Sequence, residues 1–394
     1  MGSTKTKLRA MNQIASEDWQ VKKVEYDEVK LLSEIGARVV DEYRRNLEEL
    51  FLLRNPKHRY DKNYADSFEN FILEHCGGRP ILECGVWIYY PWLKAVVHFL
   101  EENLHQELRT GRNRNLITAA EQNIYYNSTV AIAGMSVGSH IVTVIAMTGG
   151  AKHLRIADFD NLSGDNLNRI RESYANLGIN KAVLVARRVL EINPFADIQI
   201  FPEGVSEENS QSFVNGVNVI VEEVDSPFWK IRLREMAREK RIPVIMVTDN
   251  GDGAIVDVER YDRESNRALL HGKITVSAEE FRHMDPRDLP RVAAKMAGAD
   301  VAVPRMLESV VEVGETLYSW PQLGTAANMA GTIGAYLVRH LTAGPHNIKS
   351  GRYTVSMDAA FEPNYRRKWF SRKVAFIRFI KTMIAKSRAQ NTKK

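Results

Sequence analysis

Apolar positions recur at helical spacing between residues 25 and 75. Val29, Leu32, Ile35, Val39 and Val40 carry the recurrence, which predicts a mostly helical segment. Gly77-Gly78 breaks it. Residues 81–90, ILECGVWIYY, are rich in β-branched and aromatic side chains and read as a strand. Pro91 suits the first turn of a helix, and the apolar run 92–100 reads as that helix. The stretch 107–115, ELRTGRNRN, is a basic connector, and a domain boundary is placed there.

From residue 129 the pattern alternates. TVAIA at 129–133 is a short continuous apolar run, as expected of a buried parallel strand. A turn of small residues at 134–139 leads into an apolar helix over 140–147. Further strands are read at 153–157, 198–201, 217–224 and 243–248, with helices at 181–192 and 228–239. This alternation predicts an α/β fold: a Rossmann-like, doubly wound, mostly parallel sheet with helices on both faces. Beyond Tyr261 the pattern weakens to a helix at 326–342, ended by Gly344-Pro345, and a last strand at 353–358. The expected organisation is an N-terminal α-rich accessory domain (1–106), an α/β domain (107–345) and a C-terminal strand with a basic tail (346–394).

Composition adds one asymmetry. The net charge is +5 over 394 residues, yet residues 363–394 hold eleven Lys/Arg and no Asp or Glu. Residues 1–362 therefore carry −6, and a basic overall balance is no argument that the body binds nucleic acid. In the tail, Phe370, Val374, Ile377, Ile380 and Ile384 fall on one helical face, with Lys373 and Lys381 near it and Phe379 opposite. A basic amphipathic helix of this kind fits an apolar face packed on the body, an anionic membrane surface, an acidic partner, or RNA phosphates. The two cysteines, Cys76 and Cys84, form no disulfide framework. With His75 they lack metal-ligand spacing, so a structural role in a reducing compartment is expected. The start, MGSTKTKLRAMNQ, has no apolar signal region, and no apolar run reaches the roughly 18–20 residues of a membrane span. A cytoplasmic protein is expected, with membrane-peripheral contact left open by the tail.

Four features carry candidate chemistry. The turn Gly134-Met135-Ser136-Val137-Gly138-Ser139 lets backbone approach a phosphate at a helix N-terminus. Ser136 and Ser139 stand at the second and third glycine positions of the usual dinucleotide turn, which makes this feature weak alone. Asp158 ends the second strand, about twenty residues on, where a nucleotide-binding fold places its ribose carboxylate. ATP and NAD share that ribose, so Asp158 does not choose between them. The polar run from Asp158 and Asp160 through Asn166 to Arg169, followed by Lys181, does choose. Two cations beside such a turn neutralise a triphosphate, which a dinucleotide seldom requires. Glu222, Glu223 and Asp225 end the fourth strand. Either Asp225 is an oxygen ligand for Mg²⁺ in the same crevice, or these acids cap the next helix.

Residues 129–225 resemble the ThiF/MoeB/ubiquitin-activating-enzyme superfamily. The most specific part is DFD…DNLNR at 158–169. The resemblance implies an adenylation domain that uses ATP and Mg²⁺ to activate a carboxylate as acyl-AMP with release of pyrophosphate. It places Asp158 at the ribose and Asn166, Arg169 and Lys181 at the phosphates. Asp225 falls on the Mg²⁺ ligand, and Arg112 or Arg114 on an arginine finger that reaches the partner subunit's γ-phosphate in a homodimer. It implies a carboxylate substrate: a peptide or small-protein C-terminus, a small acid, or a carboxylate on a modified tRNA base. The chain also departs from the pattern. The glycine turn is one residue shorter, and Asp165, Ile170, Glu222 and Ser226 replace the usual Ser, Gln, Asp and Asn. The four zinc cysteines and the downstream catalytic thiol are missing, so no structural zinc is expected. Two other functions stay open: an NAD-dependent oxidoreductase, and a non-catalytic nucleotide-binding scaffold.

Overall fold

The computed structural model describes residues 18–60, 63–344, 346–365 and 369–391. Two compact units result. One comprises the described residues of Met1–Tyr126 with Ala146–Gly150 and Ala186–Ala196; the other comprises Asn127–Ile145, Ala151–Val185 and Asp197–Lys394.

The first unit is rich in helix and also carries a four-stranded sheet, which makes it α/β. Strands β1 (Lys22–Val24), β2 (Arg38–Val40), β3 (Val86–Tyr90) and β4 (Ala95–Phe99) form one sheet in the order β1-β3-β4-β2. Val39 and Val40, which continue the helical spacing of Val29 and Leu32, belong to β2. The apolar run 92–100, expected to be helical, is mostly strand β4. A short apolar run does not distinguish the two by periodicity alone. The chain decides it locally: a 3₁₀ turn at Pro91–Leu93 ends in Lys94 at φ +47°, which folds β4 back antiparallel onto β3. β-branched Val96 and Val97 then favour the sheet. Helices Tyr43–Arg54 and Ala65–Cys76 supply an apolar cluster that includes both free, buried cysteines. A third of the stretch expected to be a connector is the end of a helix, Glu102–Arg109, followed by a 3₁₀ turn at Gly111–Asn113.

The second unit holds the doubly wound sheet. Its strands are β5 (Thr129–Ala133), β6 (His153–Ala157), β7 (Asp197–Phe201), β8 (Val219–Glu222), β9 (Val244–Asp249), β10 (Gly253–Glu259) and β11 (Gly351–Ser356). Their order is β11-β10-β9-β8-β5-β6-β7. Strands β5 to β9 run parallel, while β10 and β11 are antiparallel additions at one edge. Helices lie on both faces. Ala131 and Ala133 point to the side occupied by Ile231, Leu233 and Met236 of the Pro227–Glu239 helix. Ile132 points to the other side, where it touches Gly138 of the Val137–Met147 helix. That helix in turn meets Gly331 and Gly334 of the Gly324–Thr342 helix, whose missing side chains permit the close approach. The chain moves from β5 outward to β6 and β7, then returns to β8 on the opposite side of β5. The switch point therefore lies between β5 and β8, the position at which open α/β sheets bind ligands.

The acids near this switch divide into structural and accessible groups. Glu222 is fully buried, and pairs with Arg234 and with Lys230 at 3.0 Å. Arg234 also reaches Glu259 of β10 at 2.5 Å and the Lys230 carbonyl at 2.8 Å. Glu259 accepts from Tyr261 Oη and Leu270 N, each at 2.6 Å. Each member is hydrogen-bonded, which is the condition for tolerating buried charge. Arg234→Met should lower stability by about 3–5 kcal/mol in urea unfolding, because it strands two carboxylates in the core. A loss below about 1 kcal/mol would show that the network contributes little.

Candidate functional site

The site is assembled at the carboxyl ends of β5, β6, β8 and β9. Gly134 follows β5 in the left-handed region, at φ +93°. A Cβ there would lie 2.3 Å from the Glu223 carbonyl oxygen, so only glycine fits where the turn meets the exit of β8. Gly138 has a different task. A Cβ on it would press on Ile132 at 3.0 Å and Met135 at 3.2 Å. It seats the helix on the strand, as the last glycine of such turns does.

Asp158 joins the turn to the polar run. Its Oδ2 accepts from Met135 N at 2.5 Å and its Oδ1 from Asp160 N at 2.7 Å. Burial raises the pKa of this carboxyl, while Lys181 and the two backbone donors oppose the rise. Lys181, itself buried, places Nζ 2.9 Å from Asp160 Oδ2, and its backbone N donates to the Asp160 carbonyl at 2.9 Å. Asn166 is buried as well. Its Oδ1 accepts from Ser163 N at 3.3 Å and closes a capping box on the 3₁₀ turn Gly164–Asn168. That turn aims Arg169 back toward β5. Arg169 Nε donates to Ser136 Oγ at 3.1 Å, and Nη1 to Asn168 Oδ1 at 2.9 Å. His140 donates from Nε2 to the Arg169 carbonyl at 2.6 Å and fixes its backbone.

Asp225 is exposed, three residues beyond β8. The helix that follows is capped by Ser226, whose Oγ accepts from Trp229 N at 3.4 Å. Capping is therefore not the role of Glu222, Glu223 or Asp225. Glu222 belongs to the Arg234 network, and Glu223 Oε1 accepts from Val247 N at 2.7 Å, with burial holding its carboxyl well above the usual range. Asp158, Asp160 and Lys181 thus form one bonded group and Ser136, Asn166 and Arg169 another, and both meet at the turn that Gly134 holds; these six are the bonded set of the second unit. Arg112 and Arg114 belong to the first unit, where Arg114 pairs with Glu107 at 3.2 Å.

One acid at this site is absent from the expectations. Asp249 ends β9 and is buried. Its Oδ2 accepts from Gln322 Nε2 at 3.2 Å, whereas Oδ1 accepts nothing from the protein. Burial pushes its pKa up to about 6, against the opposing pull of Gln322 and of the Arg169 charge. The Gln322 carbonyl takes Asn168 Nδ2 at 2.8 Å, which ties this segment to the Arg169 turn. The signal was present in the sequence: an acid after an apolar strand, the same pattern that points to Asp158 and Asp225.

The chain is similar to known proteins. The sequence model of the ThiF family matches residues 110–357. An uncharacterized protein of Mycobacterium tuberculosis is 35% identical over 278 residues, 70% of this chain and 38% of that protein. The tRNA threonylcarbamoyladenosine dehydratase of Escherichia coli is 28% identical over 153 residues, 38% of this chain and 56% of the enzyme. The chain thus spans well under two thirds of either relative's length. Among solved structures, that of E. coli MccB with ATP is similar with a TM-score of 0.45 and 16% identity, covering 65% of this chain and 67% of MccB. The family match takes in β5 to β11 and every member of the bonded set, and the chain belongs to the ThiF family.

Proposed function

We propose that this chain binds ATP with Mg²⁺ in the crevice between β5 and β8 and adenylates a carboxylate. The carrying observation is the fork of Arg169, held at 3.1 Å from Ser136 in the glycine turn. A fixed cation there meets an anion seated at the N-terminus of the Val137–Met147 helix. Lys181 adds a second cation, a buried ammonium anchored through Asp160. A nicotinamide dinucleotide gives this pair no comparable task. The ThiF relatives support the same reading.

The substrate carboxylate is its own nucleophile. One of its oxygens bonds to the α-phosphorus of ATP as the bond to pyrophosphate breaks. Negative charge moves onto the leaving pyrophosphate, where Arg169 and Lys181 stabilise it. Asp158 holds the ribose hydroxyls. Asn166 keeps the turn that aims Arg169. Asp225 is the exposed carboxylate suited to Mg²⁺, and the ion would neutralise phosphate charge when bound. Arg112 or Arg114 of a second copy supplies the arginine finger in a homodimer. The substrate is a peptide or small-protein C-terminus, or a small acid, and a tRNA-borne carboxylate is the alternative. No cysteine follows residue 84 in this sequence, so these residues supply no downstream thiol to take the acyl group from AMP.

ATP–pyrophosphate exchange, screened with pooled peptides and small acids, should depend on Arg169 and Asp225. Arg169→Ala and Asp225→Ala should each lower the exchange rate by roughly 10²-fold or more. Because Ser226 caps the helix, Asp225→Ala should leave urea stability within about 0.5 kcal/mol. Undiminished exchange in both variants would sink the assignment. Calorimetric binding of ATP without exchange would favour a scaffold, and tighter binding of NAD an oxidoreductase.

Asp249 yields a pH prediction. Its carboxyl is pushed up to about 6 in the fold, against about 3.9 in an unfolded chain. The folded state keeps this proton longer, so stability falls as pH rises from about 4 to about 6. Above that window the full cost, about 3 kcal/mol, is present. Asp249→Asn should therefore stabilise the protein by about 2 kcal/mol at pH 8 and by almost nothing at pH 4. Urea unfolding at the two pH values measures it. A variant less stable at pH 8 than the parent would contradict the argument.

A further inference from the structure

The C-terminal helix turns the wrong face outward for a helix that merely packs on the body. The helix Trp369–Asn391 lies against the Pro304–Glu312 helix. Among the described side chains of this helix, Phe379, opposite the apolar stripe expected from the sequence, is the one buried, at 5% exposure. The stripe itself looks outward: Phe370 is 70% exposed, Ile377 53%, Val374 40% and Ile380 39%. Lys373 and Lys381 are exposed and interleave with it. The side chain of Ile384, which extends the stripe in sequence, and residues 366–368 lie outside the described set.

We propose that this outward stripe docks on an anionic membrane surface. The lipid interface accepts what the stripe offers. Phenylalanine and isoleucine enter the acyl boundary, while neighbouring lysines lay their stems along it and keep their charges among the headgroups. Residues 363–394 bring eleven cations and no acid to the contact, whereas residues 1–362 carry −6. An anionic surface therefore attracts the tail and repels the body, and this asymmetry orients the protein. Other occupants match less well. Stripe against stripe in a second copy sets Lys373 and Lys381 against like charges. RNA phosphates satisfy the lysines but leave Phe370 and Ile377 in water. A protein groove wants regularly spaced apolar anchors, and here lysines interrupt them. Among the described residues no helix is long and apolar enough to cross a membrane, so the contact is peripheral.

Co-sedimentation of the full chain with vesicles tests the proposal, independently of adenylation. Binding is expected to phosphatidylcholine vesicles containing about one part in three phosphatidylserine, and not to phosphatidylcholine alone. The double variant Phe370→Ser/Ile377→Ser should bind at least about tenfold more weakly. Lys373→Glu/Lys381→Glu should lose a similar factor. All four side chains are exposed, so ATP binding should not change, and the Phe370→Ser/Ile377→Ser variant should keep its urea stability. Failure of the parent to bind anionic vesicles would overturn the proposal, as would equal binding by the Phe370→Ser/Ile377→Ser variant. Capture of a polyuridylate probe or of an acidic protein without vesicle binding would do the same. So would self-association that this variant abolishes without any vesicle binding.

Discussion

The candidate site depends on one carboxylate. Asp158 receives a backbone donor from the turn after β5 and another from the start of the polar run after β6. These two contacts hold neighbouring strand ends in one constellation. With Asp158 in place, Asp160 is positioned to anchor Lys181, and the following turn carries Arg169 back to Ser136. Charge-assisted bonds to backbone are among the stronger hydrogen bonds available to a protein. Here their value is geometric, since the Lys181 anchor Asp160 and the turn that carries Ser136 are both held by Asp158.

The same unit hides charge elsewhere, and this limited what pattern reading delivered. The strand GAIVDVE is buried along its whole length, although it ends in two acids at 257 and 259. Read by hydropathy, those acids suggest water. In the fold, Asp257 meets His271 at 2.9 Å and Arg352 at 2.8 Å, and Glu259 meets Arg234. These partners come from distant parts of the chain, so no local window reveals them. That is why β10 was missed while β5 to β9 were found within a residue or two. The first unit shows the complementary failure. The run 92–100 is apolar in both readings, and only the turn at Lys94 commits it to a hairpin.

Position after β5, β6 and β8 marks the glycine turn, the run from Asp158 to Arg169 with Lys181, and Asp225 as candidates in the sequence, and the fold joins the first two through Asp158 and Arg169. Asp249 obeys the same rule, yet it became conspicuous only with its burial and its incomplete hydrogen bonding. Glu222 and Asp225 looked alike in sequence. They differ because the Arg234 guanidinium waits for one of them in the core, and Ser226 takes over the cap that the other resembled.

The C-terminal helix separates the two kinds of information most clearly. Its basic charge and its apolar stripe are properties of the sequence, set by composition and a period of 3.6. Which face turns inward is not, because both Phe379 and the Phe370–Ile377 stripe are apolar enough to be buried. The sequence by itself determined the alternating α/β fold, the glycine turn and the polar run that ends in Arg169, since these follow from local order along the chain. The tertiary structure alone decided which acids are ion-paired in the core, which strand completes the sheet, and which side of the last helix faces the solvent. Each of those depends on partners that sequence order does not place together.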